Sequence, residues 1–139
     1  MKRDVRLRGL SSEHHQALVL ARSVEGLCEA WSPGARADLS SRFAGELEPH
    51  FQVEERLLLP ALRDAGQAAL AERTARDHEF LRAKASEAIA GDDKAARAFA
   101  ERLRQHVRFE EQELFPACEA LLPGSVLDEV ARLASPPSG

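Results

Sequence analysis

The sequence predicts an all-α protein: an antiparallel up-down-up-down four-helix bundle with a short fifth helix at its C-terminal end. Three observations carry this reading. Ala, Leu, Glu and Arg, all strong helix formers, dominate the chain. No stretch sustains the alternation of apolar and polar residues that a strand requires. Clusters of Ser, Pro and Gly cut the chain into four segments of roughly 20 to 30 residues, each about 30 to 45 Å long as a helix, and short loops between such segments imply antiparallel neighbours.

Each segment has its own start and stop signals. Ser11-Ser12 is expected to cap a first helix running to about Trp31, and Ser32-Pro33-Gly34 stops it. A second helix is expected from about Ala35 to Asp64, closed by Ala65-Gly66. Pro49 and Pro60 should kink or interrupt it. The third runs from about Gln67 to Ala90, with Gly91 as a left-handed cap. Asp92 or Asp93 can cap the fourth, which extends to about Leu122, is perturbed by Pro116 and is broken by Pro123-Gly124. Ser125 can cap the short fifth helix to about Leu133, and Ser135-Pro136-Pro137-Ser138-Gly139 is expected to fray.

A length of 139 residues suits a single domain, 1–139, with its core at about 8–122 and the short helix and tail at 123–139. Hydrophobic residues at 44% and charged residues at 30% place it with folded rather than disordered chains. A net charge of −4 without a basic run argues against a nucleic-acid binder. The longest apolar run, Leu57 to Leu62, is broken by Pro60, so no membrane helix is expected, and no apolar segment behind the basic N-terminus suggests a secretory signal. Two cysteines are too few for a disulfide framework, which makes a reducing cytoplasm the expectation. Cys28 reads as core packing and Cys118 as peripheral. Tyrosine is absent, so no tyrosyl radical can be stored.

The second and fourth helices echo each other. His50-Phe51-Gln52-Val53-Glu54-Glu55-Arg56-Leu57-Leu58-Leu59-Pro60-Ala61 aligns with His106-Val107-Arg108-Phe109-Glu110-Glu111-Gln112-Glu113-Leu114-Phe115-Pro116-Ala117, and six of the twelve positions are identical. Glu13-His14 and Asp77-His78 form a fainter pair. The chain therefore reads as two similar helical hairpins, which would set equivalent residues around one axis.

Every long helix carries a histidine. In His50-x-x-x-Glu54 and His106-x-x-x-Glu110 the imidazole and carboxylate lie one turn apart on one face. That face is apolar: Phe43, Leu47, Val53 and Leu57 flank His50, whereas Phe99, Leu103, Phe109 and Ala117 flank His106. Ala71, Ala75, Leu81, Ala85 and Ile89 surround His78 in the same way. On the first helix His14 falls inside the stripe of Leu10, Ala17, Leu18, Ala21, Val24 and Cys28, while its alternative, His15, is rotated by about 100°. A lone histidine in such a stripe usually reads as a hydrogen-bonded core residue. Four of them facing one axis, with two buried carboxylates that need neutralising, read as a metal site.

The ligand count selects its type. Four imidazoles and two carboxylates exceed a structural zinc site, and suit two metals about 3.5 to 4 Å apart, bridged by both carboxylates, with two histidines each. Nitrogen and oxygen ligation is compatible with iron or manganese, and zinc could also occupy it. The Glu-x-x-His alternative fails, because Ser11, Leu47, Ala75 and Leu103 stand three before the histidines. Glu55, Glu111 and Glu113 read as solvated or boundary charges, Glu113 lying one further turn along the His106 face.

These motifs (Glu13-His14-His15, His50 to Glu55 with Leu59-Pro60, Asp77-His78-Glu79-Phe80-Leu81, and His106 to Glu111 with Phe115-Pro116) resemble the hemerythrin-like, or HHE cation-binding, family over residues 8–122. The resemblance implies a four-helix bundle with a non-haem di-iron centre held by His14, His50, Glu54, His78, His106 and Glu110. It implies binding of oxygen, nitric oxide or peroxide, or sensing of iron and redox state. Oxygen-carrying members place a second histidine four before the third-helix ligand, where this chain has Thr74, and an Asp five after the last, where it has Glu111. A more open and more symmetric iron pair, less suited to reversible oxygen storage, is the expectation. The same features are compatible with a weak peroxidase or ferroxidase, and with a metal-regulated helical interaction module acting through a protein partner.

Overall fold

The computed structural model describes residues 2–134. The expected tail at 135–139 lies outside them. Among the described residues there is no strand. Helix α1 spans Arg8–Leu27, α2 spans residues 33–64, α3 is Ala68–Ile89, α4 spans residues 93–121, and α5 is Gly124–Leu133.

Local chemistry sets most of these boundaries. The Asp4 carboxylate accepts from the Arg6 backbone N–H and starts a 3-10 turn, Val5–Leu7, that runs directly into α1. Ser11 and Ser12 are therefore inside the helix and are not its cap, because burial of Leu7 and Leu10 extends the helix toward the N-terminus. Ser32 accepts from Ala35 N–H at 3.1 Å and opens α2 with Pro33 in its first turn, where the missing N–H is harmless. Asp92 caps α4 through Lys94 and Ala95. Gly66 and Gly91, at φ +82° and +119°, make the two turns that flank α3.

The three internal prolines do not break their helices. Each sits two residues beyond a π-helical turn: Phe43–Leu47 before Pro49, Glu54–Leu58 before Pro60, and Glu110–Leu114 before Pro116. A proline lacks the N–H and crowds the carbonyl four residues back, and a widened turn relieves both. The extra residue also slips the helical phase. An unbroken helix would bury Leu57 on the His50 face, but Leu58 is buried instead and Leu57 only partly. On α4 the same slip carries Cys118 into the core in place of Ala117 and turns Glu113 out to Arg73. The peripheral reading of Cys118 is thereby corrected.

Numbers rise along one helix as they fall along its neighbour. Arg36 donates to the Ile89 carbonyl while Glu55 pairs with Arg82, and Arg102 lies over Phe80 while Arg73 lies over Phe109. Glu25 pairs with Arg104 while Ser11 donates to Glu111. Around the bundle α1 borders α2 and α4, and α3 borders the same two. The apolar core is in two parts. One contains Val24, Leu39, Phe51, Leu81, Phe99 and Leu103; the other contains Leu10, Leu58, Leu62, Phe109, Leu114 and Phe115, closed by Leu127 and Val130 of α5. Four imidazoles and two carboxylates form a polar layer between them.

Candidate metal centre

Each of the four long helices presents one buried histidine to this layer: His14, His50, His78 and His106 are at most 4% exposed. Glu54 and Glu110, at the first position of a π turn on α2 and α4, are fully buried. His15 is exposed, outside the layer.

The carboxylates link the histidines in pairs. Glu54 reaches His50 Nε2 with one oxygen at 3.1 Å and His78 Nε2 with the other at 3.0 Å. Glu110 reaches His14 Nε2 with Oε1 at 2.7 Å and His106 Nε2 with Oε2 at 3.2 Å. Two candidate ligand sets result, His14, His50, Glu54 and Glu110 on one side and Glu54, His78, His106 and Glu110 on the other, with the nitrogen and oxygen atoms of each within 4.8 Å of one another. Both carboxylates belong to both sets.

The opposite edge of every ring is held by a second carboxylate. Nδ1–H of His50 donates to Glu13 at 2.7 Å, that of His78 to Glu55 at 2.7 Å, that of His106 to Asp77 at 3.0 Å, and that of His14 to Glu111 at 2.6 Å. Each helix thus lends an acid to the next, α1 to α2, α2 to α3, α3 to α4 and α4 back to α1. These bonds fix ring orientation and leave Nε2 as the inward atom. Arginines steady three of the acids at the surface: Arg82 on Glu55, Arg102 on Asp77 and Arg3 on Glu111, at 2.8, 3.4 and 3.3 Å.

Glu55 and Glu111 are half-buried, as the boundary reading expects, but their bonds to the histidine rings were missed, as were the roles of Glu13 and Asp77. A signal was present: each acid adjoins a site residue in sequence, and a step of one residue rotates a side chain by about 100°, from the bundle axis toward the neighbouring helix. Glu113 remains exposed and outside the layer. The Thr74 hydroxyl is buried but donates to the Leu70 carbonyl at 2.8 Å.

Charge in the layer is strongly coupled. Burial works against a charged His106, yet Glu110 and Asp77 raise its pKa to about 10. His14, His50 and His78 are raised against burial in the same way by the carboxylates they touch. Burial disfavours ionised Glu110, but His106, His14 and His50 hold it well below the ordinary carboxylate range. The His78 hydrogen bond is the main reason that Glu55 falls to about 2.

Protein groups alone do not satisfy the layer. Glu54 Oε1 and Oε2, Glu110 Oε2, His78 Nε2 and His106 Nε2 are buried with no hydrogen bond of acceptable geometry. One buried polar atom left in that state costs about 1–3 kcal/mol, and a concentration of them in one place calls for a ligand. Nitrogen and oxygen donors with two shared carboxylates fit divalent first-row cations.

No helix is long and apolar enough to cross a membrane. Comparison with curated proteins and with solved structures finds no match. A sequence model described as the hemerythrin HHE cation binding domain matches residues 5–118, a span that contains all six candidate ligands and all four acids that orient them. The chain belongs to the hemerythrin HHE cation-binding domain family.

Proposed function

We propose that this chain holds two iron ions in a non-haem di-iron centre and uses it to bind or sense a small ligand (oxygen, nitric oxide or peroxide) or to handle iron. The observation that carries the reading is the set of five buried nitrogen and oxygen atoms without hydrogen-bond partners, gathered where two ligand sets share both carboxylates. His14 and His50 would serve one ion, His78 and His106 the other, and Glu54 and Glu110 both. Glu13, Glu55, Asp77 and Glu111 orient the four rings and select the tautomer that turns Nε2 inward. The two apolar clusters on either side keep water from competing for the donors. When bound, the iron pair would supply redox chemistry and open coordination positions for a small molecule. A reducing, cytoplasmic setting agrees with two buried cysteines that are not paired.

The test is metal stoichiometry after loading with ferrous iron under argon. Elemental analysis should find two irons per chain, one for each ligand set. His50→Ala or Glu110→Ala should lose them. Failure of the wild type to take up metal in stoichiometric amount would overturn the reading, and preferential uptake of manganese or zinc would correct the metal.

A further inference from the structure

The four histidines are not equally enclosed. His14 is stacked on Phe115 at 5.2 Å, His78 on Phe51 at 3.9 Å, and His106 is tilted against Phe109 at 6.3 Å. Each of these phenyl rings carries an arginine guanidinium: Arg3 at 5.5 Å, Arg82 at 5.4 Å and Arg73 at 4.0 Å. His50 meets Phe51 edge-on at 6.3 Å and, among the described residues, has no stacked phenyl ring. Beside it a cavity of about 250 Å³ opens between α1 and the first π turn of α2. Gln16, Gly45 and Glu46 form its exposed rim, and the buried Leu20, Leu47 and His50 form its floor.

The cavity's wall chemistry selects what can pass. Glu13 is engaged with His50, and Glu46 with Arg42 at 3.3 Å, so a charged molecule would have to disrupt an existing pair. A small uncharged molecule meets Leu20 and Leu47 beside the His50 ring and gives up no ion pair. At the far side, His50 Nε2 is within 3.5 Å of both bridging carboxylates. Gly45 is the open point of the rim. A Cβ built there meets nothing within 4 Å, and the residue has no positive φ, so neither packing nor backbone conformation requires glycine. Glycine inside a helix even costs about 1 kcal/mol relative to alanine.

We infer that this cavity is the port through which small uncharged molecules reach the metal centre, on its His50 side, and that Gly45 keeps the port open. The inference rests on the proposed iron centre. Its test therefore has one arm that needs no metal.

In that arm, xenon is dissolved under pressure with the protein as purified without added iron, since cavities of about 150 Å³ take up xenon. Xenon should shift the amide resonances of Ala17 and Leu47, and Gly45→Leu should abolish the shifts. In the second arm, stopped-flow mixing of the iron-loaded protein with nitric oxide should give an association rate lowered about tenfold in Gly45→Leu, with the same final spectrum. Gln16→Phe, on the other side of the rim, should act likewise. Gly26→Leu, an equally unobstructed helix position away from the cavity, should match the wild type. Equal nitric oxide rates in all four proteins, or xenon shifts absent from both Ala17 and Leu47, would overturn the port. If the wild type takes up no iron, the di-iron reading fails while the xenon arm still decides whether the cavity admits uncharged molecules.

Discussion

The two His-x-x-x-Glu segments are the same device from the histidine onward and different devices upstream of it. After Glu54 and after Glu110 the chain makes a π turn, buries a leucine (Leu58 or Leu114) and meets a proline. Before His50 there is a further π turn, with Gly45 and Pro49; in register before His106 stand Glu101 and Gln105 on an unbroken α-helix. His106 is enclosed between Asp77 and Phe109, whereas His50 borders a cavity. The shared half sets the candidate ligand layer, and the unshared half leaves a cavity on one side of it. A repeat that is symmetric in its donors can thus be asymmetric in its access.

The comparison is most severely tested at the carboxylates. If the shared halves are equivalent, Glu54→Ala and Glu110→Ala should each reduce metal to below about one ion per chain by elemental analysis, because each acid belongs to both ligand sets. Loss from one variant alone would make the halves inequivalent. The phase slip is tested by core truncation. Leu58→Ala should destabilise by about 2–5 kcal/mol in urea denaturation and Leu57→Ala by about 1 kcal/mol or less. On α4, Cys118→Ser should cost about 1–3 kcal/mol, whereas Glu113→Ala stays within about 0.5 kcal/mol.

Smaller effects are expected from the acids that hold Nδ1. Asp77→Asn and Glu13→Gln should each weaken metal binding by about 10- to 100-fold in a chelator competition, one acting on each half. The pH dependence has a definite sign. With the folded pKa of His106 raised from 6.5 to about 10, stabilisation from its carboxylate partners is complete below 6.5 and lost as pH rises through 10. Metal binding needs the free Nε2 lone pair and runs the other way, so affinity should rise across about pH 6 to 8 with protons released, as an indicator dye in weak buffer would record. The least effect is expected from His15→Ala, which should retain the full metal complement and stay within about 0.5 kcal/mol of the wild type.

The bundle and the gathering of the six candidate ligands into one layer were legible because both depend on a 3.6-residue period and on the echo between α2 and α4. The single histidine inside the α1 stripe also pointed to His14 and away from His15. What was not legible came from changes in that period. Leu57 and Ala117 were placed on the inner face by an unbroken helix, and a π turn moved both of them partly out. Pro60 and Pro116 marked those turns, but proline chemistry alone permits a break, a kink or a widened turn. The roles of Glu13, Glu55, Asp77 and Glu111 depended on which helix stands beside which, information that residue spacing along one helix does not contain.

The closed circuit of acids has a mechanical consequence. A helix that leaves the layer abandons two bonds at once, the one its acid accepts and the one its imidazole donates, and so loosens both of its neighbours. The layer acts as a hoop around four staves: it confers little while any stave is missing and tightens only when the last is seated. Fraying at the bundle ends can therefore proceed while the waist stays shut, and opening of the waist would be an all-or-none event.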